Sequence, residues 1–248
     1  MNEPARPPRD TPASKPKALL ALLLLIPAPT LGTLFGLGVV EAGPEWLGQS
    51  VYFGAKAWLL ALPLVWHLFV DHGPISWSPP RTGKQGRADW VVAVVSGLVI
   101  TAIIFAAYAL LGRHLIDEPT REHVRTLAAG NGLDDWRKYL FLAAYITVIN
   151  ALLEEYVWRW FVYTRFRAFT PQTLAIVLAA LAFGVHHYVA LAVQFGHPLA
   201  VLGTLGVCIG GAWWSWMYAK QRSVWPAYLS HAIVDIPVFV IGAWIIFG

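Results

Sequence analysis

The residues of this sequence best suited to chemistry lie in one apolar stretch, where two adjacent carboxylates are followed by a guanidinium. They are Glu154, Glu155 and Arg159. Because an ionisable side chain at membrane depth costs roughly 2.5–3.5 kcal/mol on insertion scales, such groups face a protein interior and pair with one another. On a helix, Glu155 and Arg159 share a face and can pair. Glu154, rotated by about 100° from its neighbour, is expected to stay available for chemistry.

Two histidine clusters lie in later apolar stretches. In the first, Phe183 is followed after Gly-Val by His186 and His187, and in the second, His231 is followed four positions later by Asp235. At that spacing the histidine and the aspartate share a helical face and can hydrogen-bond. A single histidine in a membrane helix usually satisfies an interhelical hydrogen bond. Three such clusters on three helices instead predict one shared polar site.

Composition identifies the bilayer as the solvent of this chain. Of its 248 residues, 57% are hydrophobic and only 13% are charged, whereas soluble domains carry about 25% charged residues. An ordinary cytosolic enzyme is therefore excluded. The basic residues are scattered in short connections beside apolar stretches, which does not indicate nucleic-acid binding. The single cysteine, Cys208, allows no disulfide within the chain and is not expected to be a nucleophile.

Hydropathy predicts an all-α, polytopic transmembrane helix bundle with about seven spans, because lipid tolerates only helices and closed barrels. The Pro-, Lys- and Arg-rich residues 1–17 are predicted to be a disordered tail. The apolar run that follows resembles a signal-peptide core but continues to Val40, so we interpret it as an uncleaved first helix. The other predicted spans are 50–70, 89–111, 139–163, 173–195, 198–219 and 224–247.

Tryptophans and glycines mark the predicted ends and contacts of these spans. Most tryptophans lie near span ends, as in an interfacial belt; these are Trp46, Trp66, Trp77, Trp90, Trp136, Trp213, Trp214, Trp216 and Trp225. Gly206 with Gly210, and Gly32 with Gly36, form small-residue stripes that predict close helix contacts. Lys56, inside the second span, is expected to snorkel to an interface, with substrate binding as the alternative.

The distribution of basic residues predicts the orientation. Eleven lysines and arginines fall on the side of the N-terminal tail and five on the opposite side, all within the connection 112–138. By the positive-inside rule the N-terminus is cytoplasmic. Glu154 and His231 then lie at similar depths, roughly 12–14 Å from the cytoplasmic ends of their helices at 1.5 Å per residue. We expect an integral, multi-pass protein of a bacterial plasma membrane.

These motifs resemble those of the CPBP intramembrane proteases, the family of CAAX proteases and bacteriocin-processing enzymes also called Abi. The family signature is EExxxR, then FxxxH, then HxxxN or HxxxD, each on its own transmembrane helix. All three motifs occur here in that order, and the resemblance covers roughly residues 139–240. It implies a catalytic core at 139–248, preceded by N-terminal spans and loops at 18–138.

The resemblance implies a glutamate protease that uses no cofactor. Glu154 would activate water and His187 would help to hold it. His231 and Asp235 would stabilise the oxyanion, with Asp235 orienting His231, since an ionised aspartate cannot donate a hydrogen bond. Phe183, Glu155 and Arg159 would support the site. Spacing from Phe183 favours His187 over His186, which would line the cavity or pack.

Other functions remain open at this point. Glu154, His187, His231 and Asp235 could ligate zinc in a metal-dependent version of the same protease, although the HExxH zinc motif is absent. A non-catalytic membrane scaffold or immunity-type protein would use the polar cluster for stability or binding. For a protease, the expected partners are the bilayer and a membrane-associated protein or peptide, whether lipidated, a leader or a sorting-signal protein.

Overall fold

The computed structural model describes residues 14–37 and 45–248, which form eight long helices and no strand. The helices are α1 Lys15–Gly36, α2 Trp46–Val70, α3 Gly83–Leu115, α4 Glu118–Gly130, α5 Trp136–Arg167, α6 Gln172–Phe195, α7 His197–Gln221 and α8 Val224–Phe247. All except α4 are long and apolar enough to cross a membrane. The predicted all-α bundle of seven spans is therefore confirmed, and the chain is an integral, multi-pass membrane protein.

Most of the helices begin before the apolar runs from which they were predicted. Helix α1 begins at Lys15 and so includes the last three residues of the predicted tail, while residues 1–13 and Val40 lie outside the described residues. Helix α3 begins six residues before the predicted position 89. There the buried carboxylate of Asp89 forms a bidentate ion pair with Arg81, whose Nε lies 2.7 Å from Oδ2. This pairing allows polar turns to extend the helix beyond its apolar part.

Within the 112–138 connection, α4 is an amphipathic helix that packs against the ends of α6 and α8. At its start, the hydroxyl and backbone amide of Thr120 hydrogen-bond Asp117 and lower the pKa of that carboxyl. Further along, Arg125 donates to the backbone carbonyls of Ile245 and Gly248 at 3.0 Å each. The unpaired last carbonyls of α8 are thereby satisfied by a basic side chain.

Helix α5 lies at the centre of the bundle, because most residues of its π-helical segment are buried between neighbouring helices. Its buried residues pack against α6, α7 and α8 in the main hydrophobic cluster; on α5 they include Val157, Trp158, Phe161 and Val162. Since α5 also carries the paired glutamates, Glu155 and Arg159 are enclosed by protein, whereas Glu154 remains partly exposed.

Only one of the two predicted glycine stripes is a close contact. A Cβ added at Gly32 would lie 2.8 Å from the Cβ of Ala55, so α1 and α2 do approach closely there. A Cβ added at Gly206, in contrast, would meet open space. Glycines of α7 that do approach α6 closely are Gly203, where a Cβ would lie 2.7 Å from Leu191 Cδ1, and Gly211, where it would lie 3.0 Å from the ring of Phe183. Sequence spacing alone could not tell which glycines of α7 face a neighbouring helix, because the rotation of α7 about its own axis is determined by tertiary packing.

Candidate active site

The paired glutamates lie where α5 changes from an α-helix to a π-helix. The π-helical segment runs over Glu155–Tyr163, and a shorter one covers Ile146–Asn150. Such wide turns are rare and occur frequently at functional sites. The predicted ion pair is confirmed within the longer segment, with Glu155 Oε2 3.3 Å from Arg159 Nε and both side chains fully buried.

The guanidinium of Arg159 is held by aromatic rings as well as by charge. Its centre lies 4.6 Å from the ring centroid of Phe183 and 5.1 Å from that of Trp214. Both are within the range of cation–π attraction, which strengthens when the groups are desolvated. Arg159 therefore joins α5 to α6 and α7 directly behind the glutamates.

His231 of α8 joins the site to α5 and α7 through its two sides. Its Nδ1 lies 2.9 Å from Glu155 Oε1, and since a carboxylate only accepts, Nδ1 is the donor. The imidazole also stacks on Trp214, with ring centroids 4.0 Å apart. The predicted hydrogen bond to Asp235 is not formed, because Nε2 lies 3.7 Å from Oδ1 of that residue. Glu155, on another helix, is thus the group that orients His231.

Glu154 is the more accessible of the two glutamates, as the helical geometry predicted. Its Oε1 accepts a hydrogen bond of 2.8 Å from Asn150 Nδ2, and its Oε2 lies 3.7 Å from His231 Nε2. The side chain keeps 17% of its surface exposed, whereas Glu155 keeps none. One oxygen of Glu154 is therefore anchored and the other faces the imidazole across a short gap.

The tandem histidines of α6 lie on the other side of Glu154. His187 Nδ1 lies 2.9 Å from the carbonyl oxygen of Phe183. A carbonyl only accepts, so in the neutral ring Nδ1 carries the proton and Nε2 the lone pair. His186 stacks on Trp158 with an angle of 9° between the rings. Its buried Nδ1 has no hydrogen-bond partner among the described residues.

A metal ion would fit one trio of these side chains. One ligand atom from each of Glu154, His186 and His187 lies within 4.8 Å of the others. Two imidazoles and a carboxylate are a donor set found in catalytic zinc sites. This trio differs from the set weighed from sequence, since it includes His186 and omits His231 and Asp235.

Sequence reasoning missed two residues of the site, Trp214 and Asn150. Trp214 was assigned to the interfacial belt, but only 3% of its surface is exposed and its indole donates to Ser230 Oγ at 3.2 Å. Gly210 and Gly211, one turn before Trp214, were a signal in the sequence, because the absence of side chains there leaves room for the indole ring to lie against the helix. Asn150 lies four residues before Glu154, and the i,i+4 rule could have identified it.

Comparison with known proteins gives one match. Residues 136–237 match a family model described as type II CAAX prenyl endopeptidase Rce1-like. The matched region begins at the start of α5 and ends after Asp235, so it contains all three histidine and glutamate clusters. No curated protein and no solved structure matches the chain significantly.

Proposed function

We propose that this chain, whose residues 136–237 form an Rce1-like region of the CAAX protease family, is an intramembrane endopeptidase in which Glu154 activates water. Its substrate is a membrane-associated protein. The observation that supports this proposal best is the 3.7 Å distance between Glu154 Oε2 on α5 and His231 Nε2 on α8. The same two helices are joined by the hydrogen bond between His231 and Glu155.

In this mechanism, water hydrogen-bonds to the free oxygen of Glu154 and to the lone pair on His187 Nε2. Glu154 takes the proton as the water oxygen attacks the scissile carbonyl, and it returns that proton to the amine as the carbon–nitrogen bond breaks. Asn150 fixes the other oxygen of Glu154 at 2.8 Å. The carboxylate is therefore held in one orientation before the reaction, which is the condition for efficient proton transfer.

His231 supplies the donor for the negative charge that develops on the substrate. Glu155 holds Nδ1, so Nε2 is the imidazole atom that faces the pocket. When it carries a proton, Nε2 can donate to an oxyanion, whereas the ionised carboxylates of Glu154 and Asp235 can only accept. Stacking on Trp214 keeps the ring from rotating. Glu155 and Trp214 are positioning residues in this mechanism, and Asp235 contributes its carboxylate 3.7 Å from Nε2.

We also propose that the N-terminus is cytoplasmic in a bacterial plasma membrane, so that substrates enter from the inner leaflet. Besides the excess of basic residues, the contacts at one end of the bundle support this orientation. Arg165 Nη2 lies 2.5 Å from Asp71 Oδ2, and Lys17 Nζ donates to the carbonyl of Val70 at 3.2 Å. Basic residues of α1 and α5 thus gather at the end of α2, as expected for a cytoplasmic face.

The proposal is tested by incubating the purified chain in liposomes with membrane-tethered candidate peptides and determining the product masses. Hydrolysis gives two products whose masses sum to that of the substrate plus one water. Suppose that the folded protein forms no hydrolysis products from any tethered peptide, while deletion of its gene still changes the cellular phenotype. The non-catalytic membrane scaffold would then be the better description.

A zinc-dependent protease is the second candidate, because Glu154, His186 and His187 could ligate a metal together. His186 distinguishes the two mechanisms, since only the metal mechanism requires it. A phenylalanine at this position keeps a flat ring against Trp158 but removes both ring nitrogens. Under the glutamate mechanism, His186→Phe retains most of its activity and a strong chelator has no effect.

Under the zinc mechanism, the same variant loses activity and bound metal together. Changes to residues that only support a metal's ligands typically cost 10–100-fold, so the loss of a ligand should cost at least about that much. Activity of His186→Phe with and without chelator, together with the metal content of the wild type, therefore decides between the two. His187→Phe serves as the control, because it should lose activity in either case.

A further inference from the structure

A chain of hydrogen bonds joins α3 to the indole ring that stacks on His231. The indole nitrogen of Trp214 donates to Ser230 Oγ at 3.2 Å, and Ser230 Oγ lies 3.0 Å from Ser96 Oγ on α3. Ser96 Oγ in turn lies 3.2 Å from the carbonyl oxygen of Ala93 in its own helix. Ser230 is completely buried, and Ser96 is half-buried. The chain therefore starts beside the imidazole and ends on a helix outside the Rce1-like region.

The direction of this chain follows from which groups only donate and which only accept. An indole nitrogen only donates and a carbonyl oxygen only accepts, whereas a hydroxyl does both. Every donor is satisfied when Trp214 donates to Ser230 and the proton of Ser230 points to Ser96. The proton of Ser96 is then shared with the carbonyl of Ala93. Because a buried polar group without a partner is costly, this arrangement holds the indole in one position.

Helix α3 also supports α8 directly, on the C-terminal side of His231. Thr101 Oγ1 donates to the carbonyl oxygen of Ile233 at 3.2 Å. That carbonyl has no amide partner within α8, because the residue four positions later is Pro237. A Cβ added at Gly97 would lie 2.9 Å from the Cβ of Ile233, so the two helices are in close contact there. Helix α3 thus holds the part of α8 that carries the catalytic imidazole.

The indole of Trp214 connects this support to the chemistry of the site. Its ring stacks on the imidazole of His231, with centroids 4.0 Å apart and 17° between the ring planes. It also lies 5.1 Å from the guanidinium of Arg159. A displaced indole would leave the imidazole free to tilt away from Glu154, whose Oε2 lies 3.7 Å from His231 Nε2. A misplacement of about 1 Å can cost about 100-fold in rate.

We propose that Ser96 and Ser230 are positioning residues that hold the indole of Trp214, and through it the imidazole of His231, in the orientation needed for hydrolysis. The inference rests on the proposed protease function. It makes α3 a functional part of the active site, although the Rce1-like region begins only at residue 136. Since neither hydroxyl contacts a reacting atom in this mechanism, both should affect the rate of the chemical step and not the affinity for substrate.

The test compares single and double replacements of the two serines by alanine. Ser230→Ala should lower kcat by about 10-fold and Ser96→Ala by about 3-fold, the range that the loss of one neutral hydrogen bond corresponds to, and KM should not change. Because Ser96 acts through Ser230, the double variant should lose about 10-fold in kcat and not the roughly 30-fold product of the two. Ser96→Thr, which keeps the hydroxyl, should retain the wild-type rate.

Ser215→Ala is the matched control for the loss of a buried hydroxyl. Ser215 is buried and follows Trp214 directly, but its hydroxyl donates within α7, to the carbonyl of Gly211 at 2.8 Å. At equal amounts of folded protein it should cleave at the wild-type rate. Losses of equal size in Ser215→Ala and Ser230→Ala, or a loss of about 30-fold in the double variant, would assign the serines to general packing and overturn the proposal.

The indole proton of Trp214 separates this inference from the proposed protease function. Its NMR signal in detergent micelles is identified by its absence from the Trp214→Phe protein. It should move to lower chemical shift in Ser230→Ala and, one helix further away, in Ser96→Ala, and it should return to the wild-type position in Ser96→Thr. These shifts without any cleavage by the wild type would retain the link from α3 to Trp214 and reject the protease. Cleavage by the wild type with an indole signal unchanged in Ser96→Ala would retain the protease and reject the role of Ser96.

Discussion

The Glu154→Gln variant is expected to cleave a membrane-tethered substrate about 10²–10⁴-fold more slowly than the wild type, the contribution typical of a positioned general base. Glutamine has nearly the shape of glutamate, and its oxygen can still accept the 2.8 Å hydrogen bond from Asn150. It cannot accept a proton from water at neutral pH. The variant should therefore fold and bind substrate normally while losing kcat.

The measurement is the initial rate of product formation in liposomes at equal amounts of folded protein. Glu122→Gln is the matched control, because Glu122 is exposed on the connecting helix α4 and lies outside the site. It should cleave at the wild-type rate. A Glu154→Gln rate within a few-fold of that control would remove Glu154 from the role of base.

The second large effect concerns stability, at the buried pair of Glu155 and Arg159. Glu155→Leu should lower the free energy of unfolding by about 3–5 kcal/mol, the usual cost of breaking a buried ion pair from one side. The guanidinium would be left with 1% of its side chain exposed, against the rings of Phe183 and Trp214 and without its ion-pair partner. Unfolding of the purified protein in mixed detergent micelles would measure the loss.

The double variant Glu155→Leu/Arg159→Met separates the charge effect from the catalytic one. Replacing a buried ion pair by apolar side chains of similar size is often neutral or stabilising, so the double variant should recover most of the lost stability. It should remain poorly active, because His231 Nδ1 has lost its acceptor. A double variant as unstable as Glu155→Leu would show that the pair is not the source of the effect.

The fold and the ion pair of Glu155 with Arg159 could be predicted from the sequence because both depend on local rules. Apolar length determines where a helix can cross the bilayer. The i,i+4 spacing brings Glu155 to Arg159 whatever surrounds them. Glu154 is left outside that pair by the same rotation along the helix, and its greater exposure follows.

The partner of His231 could not be predicted, because it depends on how two distant helices rotate against each other. Local spacing favoured Asp235, four residues away, but the packing of α8 against α5 brings Glu155 to 2.9 Å. Trp214 illustrates the same limit, since its indole turns inward onto His231 instead of lying at the interface. For Lys56, the inward contact with Asn150 likewise depends on the placement of α2 beside α5.

If Glu154 activates the water that attacks the peptide bond, isotopically labelled water reveals this step most directly. In H₂¹⁸O, the wild type should release an N-terminal product that carries one ¹⁸O in its new carboxylate, and Glu154→Gln should form this labelled product at a rate lower by about 10²–10⁴-fold. Labelled product formed equally fast by the Glu154→Gln variant would contradict the account.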